Sequence, residues 1–193
     1  MKIVGTDAAD VEVGLVTGKL NCPDCGGTLR PWGSARSRIV RLRHREERRA
    51  PRRSRCRSCK ATHVLVPNDV LVRRRDGVEV IGDALTAAAT GNGFRTIARR
   101  LGRPPETVRG WIRHVRLHAE RVRVHFTGWA VALDADAFEI PPTGSSFGDA
   151  LGAIATAGRA AVLGGAATDP WRFASAVTVG RLLANTTSPW ASP

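Results

Sequence analysis

The sequence predicts a mainly α protein with a small β zinc ribbon. Three units are expected in order: an N-terminal ribbon, a central helix-turn-helix of the homeodomain-like kind, and a C-terminal helical extension. Three observations predict this. The four cysteines form two CxxC pairs, Cys22/Cys25 and Cys56/Cys59, with 30 residues between them. From Asp76 onward, apolar residues recur at the three- and four-residue spacing of helices. After position 125, Ala and Gly make up 24 of 68 residues. The expected divisions are 1–20, an N-terminal segment; 21–75, the ribbon; 76–125, the helix-turn-helix; and 126–193, the helical region.

Two CxxC turns each offer two thiolates from one tight loop, and together they supply the tetrahedron that zinc takes. Gly26 and Gly27 follow the first pair and suit a turn whose amides point back at sulfur. Disulfides are disfavoured in a chain expected to be cytoplasmic. A redox CxxC would need only one pair and a βαβ setting. Zn2+ is therefore the expected cofactor, structural rather than catalytic, because four cysteines leave no open position for water. The spacer between the pairs reads as an extended hairpin. His44 and His63 read as ordinary strand residues. Thr62, Val64 and Val66 alternate with His63 and Leu65, a strand pattern closed by Pro67. Strands this few and short bury too little to fold unaided, so the metal is expected to supply the stability.

The spacer is also where the charge sits. The net charge is +13. Residues 21–75 hold 16 basic side chains against 4 acidic ones, and 15 of the 16 are arginine. Arginine presents a planar fork that matches phosphate. The cysteine pairs would pin this run, so it reads as a nucleic-acid footprint rather than a loose arm. Arg36, Arg38, Arg41, Arg43, Arg45, Arg52 and Arg53 are the candidate contacts here. No apolar run reaches the roughly 18 residues of a membrane span, so no membrane partner is expected. The first ten residues carry Asp7 and Asp10 and lack a signal-peptide core, which makes secretion unexpected.

The helical reading begins at Asp76, a candidate N-cap with Glu79 in capping-box position. Ile81, Leu85 and Ala88 mark one helix face, and Gly91-Asn92-Gly93 ends the helix. Ile97, Ala98 and Leu101 mark a second, short helix. Gly102 permits a positive φ at the turn, and Pro105 suits a first helical turn. Val108, Trp111, Ile112 and Val115 mark the inner face of a third helix. Two short helices joined by a Gly-containing turn form the helix-turn-helix unit. Arg103 stands where an apolar residue is usual, and Pro104 where a Ser or Thr cap is common. Arg95, Glu106, Thr107, Arg109 and Arg113 are left outside, as side chains that reach bases or phosphates. Gly110 weakens the helix by about 1 kcal/mol relative to Ala and leaves room for close approach to a groove.

The order CPDCGG, basic hairpin, RCRSC, then a helix-turn-helix ending TVRGWIR resembles the N-terminal DNA-binding region of bacterial insertion-sequence transposases. The stretches PWG, THVLVP, VIGDAL and IARRLGRPPETVRGW also resemble a family of small helix-turn-helix proteins associated with mobile elements. The resemblance covers residues 20–116. It implies that Cys22, Cys25, Cys56 and Cys59 hold zinc, and that Thr107, Arg109 and Arg113 face a DNA groove. Double-stranded DNA is then the expected partner, at the nucleoid, with a transposase as a further partner. A catalytic domain is not expected. Only 68 residues follow position 125, short of the roughly 100–150 of an ordinary domain. The one acidic cluster, Asp134, Asp136 and Glu139, is too local for a two-metal site, which draws carboxylates from separate strands. The expectation is a sequence-specific DNA-binding, transposase-like or accessory protein and not an enzyme. The alternatives are a transcription regulator, a catalytic recombinase fragment, and an RNA- or protein-binding ribbon.

In the last region Ser145 or Ser146 can cap a helix carrying Phe147, Leu151, Ala155 and Val162. Asp169-Pro170 is an N-cap and N1 pair, opening a last helix expected to run through Trp171, Ala174, Val177 and Leu182. Small residues permit close packing, either on the helix-turn-helix or across a homodimer. The tail TTSPWASP is expected to be loose.

Overall fold

The computed structural model describes residues 1–135, 141–166 and 169–184. Helix accounts for 47% of it and strand for 19%, so the protein is mainly helical with a small mixed sheet.

The chain opens with β1 (Lys2–Val4) and α1 (Ala8–Val16). The Asp7 carboxylate caps α1 by accepting from the amides of Ala9 at 2.7 Å and Asp10 at 3.4 Å. Val11 and Leu15, one helical turn apart, are buried against Leu29, Leu65, Cys22 and Cys56. The N-terminal segment is thus part of the cysteine-bearing unit, and β1 pairs in parallel with the last strand of its sheet.

The spacer between the cysteine pairs runs out and back, as expected of an extended hairpin. It contains β2 (Leu29–Ser34), β3 (Arg38–Arg41), β4 (Glu46–Arg49) and β5 (Arg52–Cys56), and β6 (Thr62–Pro67) follows the second pair. β2 pairs with β5 and β3 with β4, all antiparallel. The hairpin is broken between its two halves, where the register shifts between Pro31 and Ser34. Gly33 has φ +81° there, and Pro31 has no N–H for the ladder. The main sheet has the order β1-β6-β5-β2.

Residues 68–77 lead to the helices and are held from several sides. The Asn68 amide donates to Val4 O at 2.9 Å, and Gly77 donates to Arg41 O at 2.9 Å. Ser175 Oγ donates to Val70 O at 3.0 Å, Val72 N to Gly180 O at 2.8 Å, and Arg74 to Leu183 O at 2.7 Å. Arg49 grips the buried Asp69 with two bonds of 2.7 and 2.9 Å.

Five helices share one core: α2 (Val78–Ala89), α4 (Pro105–Leu117), α5 (Ala119–Leu133), α6 (Ser146–Leu163) and α7 (Pro170–Val177), with α3 (Phe94–Leu101) packed on it through Ile97 and Ala98. α5 runs across position 125. The C-terminal helices pack on the same core as α3 and α4, and α6 is buried on most of its circumference. Its small residues allow close contact: a Cβ at Gly158 would lie 2.6 Å from Pro170 Cα.

The caps at Ser145 and at Asp169-Pro170 form as the sequence indicates. Asp76 does not cap α2; Gly77 occupies the N-cap, without a side-chain bond. The Asp76 carboxylate is instead paired with Arg103, and Glu79 with Arg172. α2 is buried on more than the one expected face. α7 stops at Val177, before Leu182, because the chain turns through Val179 and Gly180 with φ +51° and +70°. Leu182 is nevertheless buried. Asp134 ends α5, while Asp136, Glu139 and the tail 186–193 lie outside the described residues. No described helix is long and apolar enough to cross a membrane.

The Asp76–Arg103 pair explains the arginine found where an apolar residue is usual. Both side chains are largely buried, at 7% and 13% exposure. The guanidinium also donates to the carbonyls of Leu101 at 3.1 Å and Leu42 at 3.3 Å. Asp76→Ala would leave that cation without its counter-charge. It is expected to lower stability by about 3–5 kcal/mol, more than the double replacement by Leu and Met, measured by urea denaturation.

Candidate metal centre and nucleic-acid interface

None of the four cysteines forms a disulfide, and their sulfurs lie within 4.8 Å of one another. Cys22 Sγ is 3.8 Å from Cys59 Sγ, and Cys25 Sγ is 3.5 Å from Cys56 Sγ. A disulfide would need about 2.05 Å. A tetrahedral centre with metal–sulfur bonds of about 2.3 Å has sulfur–sulfur edges of about 3.8 Å. The donor set and its spacing therefore fit a four-thiolate metal site.

Two matching loops build it. In the first, Cys22 N donates to Gly27 O at 2.7 Å; in the second, Cys56 N donates to Ala61 O at 2.9 Å. The residue after each pair takes a left-handed conformation, Gly26 at φ +72° and Lys60 at φ +62°. The non-glycine Lys60 is tied down by its own ammonium, which donates to Arg57 O at 2.6 Å. Gly27 has no room for a side chain, since a Cβ would lie 3.1 Å from Cys56 Sγ and closer still to Ser58. Burial raises the Cys56 thiol, but the amides of Cys59 and Ser58 and the sulfurs of Cys25 and Cys59 together bring the pKa down to about 6. The Ala61 amide lowers Cys59, yet the neighbouring sulfurs push it up to about 12. A bound cation would remove that conflict, since a coordinated thiol is deprotonated.

His63 lies on β6, as expected, but it is not an ordinary strand residue. It is buried, with Nε2 3.3 Å from Cys22 Sγ and Nδ1 2.9 Å from the Met1 amino nitrogen. Burial, followed by that ammonium, holds its pKa below the usual value. In this placement His63 would orient Cys22 Sγ toward a metal held by the four sulfurs. The signal in the sequence was its alternation with Leu65, which puts both on the face that carries the cysteines. His44 is exposed between β3 and β4.

The helical half places its candidates as the periodicity indicates. Gly102, at φ +63°, closes α3 by donating to the Ala98 and Arg99 carbonyls. Val108, Trp111, Ile112 and Val115 are buried. Glu106, Arg109 and Arg113 are exposed, Thr107 half-buried, and Arg95 exposed on α3. Arg109 donates to Glu106 at 3.2 Å and lies 6.0 Å from the Phe94 ring. Arg99, Arg100 and Arg116 are also exposed. The sequence-based candidates do not include them; Arg100 lines a groove with Asp83 and Thr86 of α2 rather than a face shared with α4.

The hairpin arginines are less uniform than their spacing suggests. Arg43 forms a two-bond pair with Asp83, at 2.8 and 2.9 Å, Arg45 bonds Glu47, and Arg52 bonds Glu12 at 2.8 Å. Arg36 is exposed; Arg41 and Arg53 are half-buried. Arg38 lines a cleft of about 720 Å³ between α1 and the hairpin. Burial, then the neighbouring Arg49, lowers its pKa.

Residues 22–101, from the first cysteine to the end of α3, match a family described as a domain of unknown function (DUF6431). No curated protein and no solved structure matches the chain.

Proposed function

We propose that this protein binds double-stranded DNA through α3 and α4, acting as a helix-turn-helix, and is stabilised by a zinc ribbon formed by the four cysteines. The reading includes a role as a transposase-like or mobile-element accessory protein, alone or beside a transposase. The observation that carries it is the division of α4. Val108, Trp111, Ile112 and Val115 hold the helix to the core, while Glu106, Arg109 and Arg113 stand in solvent, with Arg109 and Arg95 of α3 both beside the Phe94 ring. A helix held in this way can enter a major groove with its N-terminal half toward the bases. A homodimer belongs to the same proposal. Its candidate contacts are the exposed Val124, Val131 and Leu133 of α5 and Val162 and Leu163 of α6.

Selection from random duplexes, followed by binding over a salt series, tests this reading. If about five cations engage phosphate, the log–log slope is expected near −4 to −5. Arg109→Ala is expected to relax preference at one base pair by about 1–3 kcal/mol and to leave nonspecific binding largely intact. A slope near zero, or a stronger preference for duplex RNA, would overturn it.

A further inference from the structure

The sheet of the cysteine-bearing unit has one face that the fold leaves open at its β2 end. Leu29, Ser54, Cys56, His63 and Leu65 are buried on the inner side, toward α1 and the sulfurs. By strand alternation, Arg53 and Arg55 of β5 point the other way, and so does the stem of Arg30 of β2, although its guanidinium reaches the Val16 carbonyl at the end of α1. Arg30 lies directly opposite Arg55 in the register. Trp32 joins them. It is 50% exposed, and the Arg55 guanidinium lies 4.7 Å from its ring centroid.

None of these three arginines is paired with a carboxylate among the described residues. Arg30 donates to Val16 O at 2.8 Å, and Arg55 to Lys60 O at 3.3 Å. The Nε atoms of Arg30 and Arg53 are buried and have no partner. Close by, Arg57 and Lys60 are exposed in the second cysteine loop. The patch therefore gathers cations around one open aromatic face, with no counter-charge of its own. An exposed indole among unneutralised arginines suits a polyanion that carries flat rings.

We propose that this face is a second nucleic-acid site that binds single-stranded DNA, with an unstacked base on the free face of Trp32 and the backbone along Arg30, Arg53 and Arg55. The base would complete a stack of guanidinium, indole and base. Such stacking is tolerant of sequence, because every base has a π-face. The inference rests on the reading that this protein binds nucleic acid, but it concerns strands separated from the duplex. A protein so equipped could hold a duplex through α4 and a frayed or nicked end through the sheet.

The test uses the full chain and a short fluorescein-labelled oligothymidylate, read by anisotropy. Wild-type protein is expected to bind it. Trp32→Ala is expected to weaken that binding about tenfold or more, and Trp32→Phe to retain most of it. Duplex affinity should be unchanged in both variants. Trp32 lies outside the core, and metal content and circular dichroism of the variants verify that they fold. Failure of wild type to bind the oligothymidylate, or equal binding by Trp32→Ala, overturns the inference. Loss of duplex binding by wild type, with the oligothymidylate still bound, overturns the duplex reading and leaves this one standing.

Discussion

Protein purified without added zinc is expected to carry about one equivalent per chain, and Cys56→Ser to lose it. The four sulfurs lie within 4.8 Å of one another, and a serine there would leave three thiols and a poor ligand. Cys56 is also 1% exposed and part of the small core formed with Val11, Leu15, Leu29 and Leu65. That core is too small to stand without help, and structural zinc supplies about 10–16 kcal/mol of apparent binding energy in comparable small units. Atomic absorption should therefore show metal loss, and proteolysis should open residues 21–66 while the helical half persists. Full metal retention by Cys56→Ser would exclude the four-thiolate centre.

Trp111→Ala is expected to cost about 3–5 kcal/mol of stability, seen as an early urea transition. The indole is 3% exposed and packs in the core shared by α2, α4, α5 and α6. α4 packs against α2, α3, α5 and α6, so a cavity on its inner face cannot close by shifting one of them. Arg109→Ala, two residues earlier on the opposite face, should stay within about 0.5 kcal/mol of wild type. The pair separates what holds α4 from what α4 presents. Comparable losses from the two substitutions would mean that α4 is not divided into a core face and a solvent face.

The features that could be read from the sequence were local ones. Two cysteines three positions apart define their own turn, so the cysteine cluster followed from spacing. Gly102, Ser145 and Asp169-Pro170 act within one turn of helix, and each behaves as its residue type requires. The features that could not be read join distant positions. β1 lies beside β6 because Lys2 pairs with Leu65, and no period in the sequence records that. Asp76 had the right residue type and neighbour for a cap, but Arg103, 27 positions away, holds its carboxylate. Arg43 belongs by position to the phosphate-matching run, but Asp83, 40 positions away, forms a two-bond pair with it. α1 was legible in principle: Asp7 before an alanine pair, with Val11 and Leu15 four apart, is a helix start with one apolar edge.

Residues 68–77, held by β1, by the hairpin and by the segment 175–183, have a consequence for any duplex bound by both halves of the molecule. A chain that joins two DNA-contacting modules through a slack tether tolerates targets of varied length. This connection has no slack, so the protein would act as a ruler. Each base pair inserted between the two contacted stretches lengthens the target by about 3.4 Å and turns one stretch about the helix axis relative to the other. The bound sites should then share one fixed internal spacing, and a single inserted pair should reduce two contacts to one.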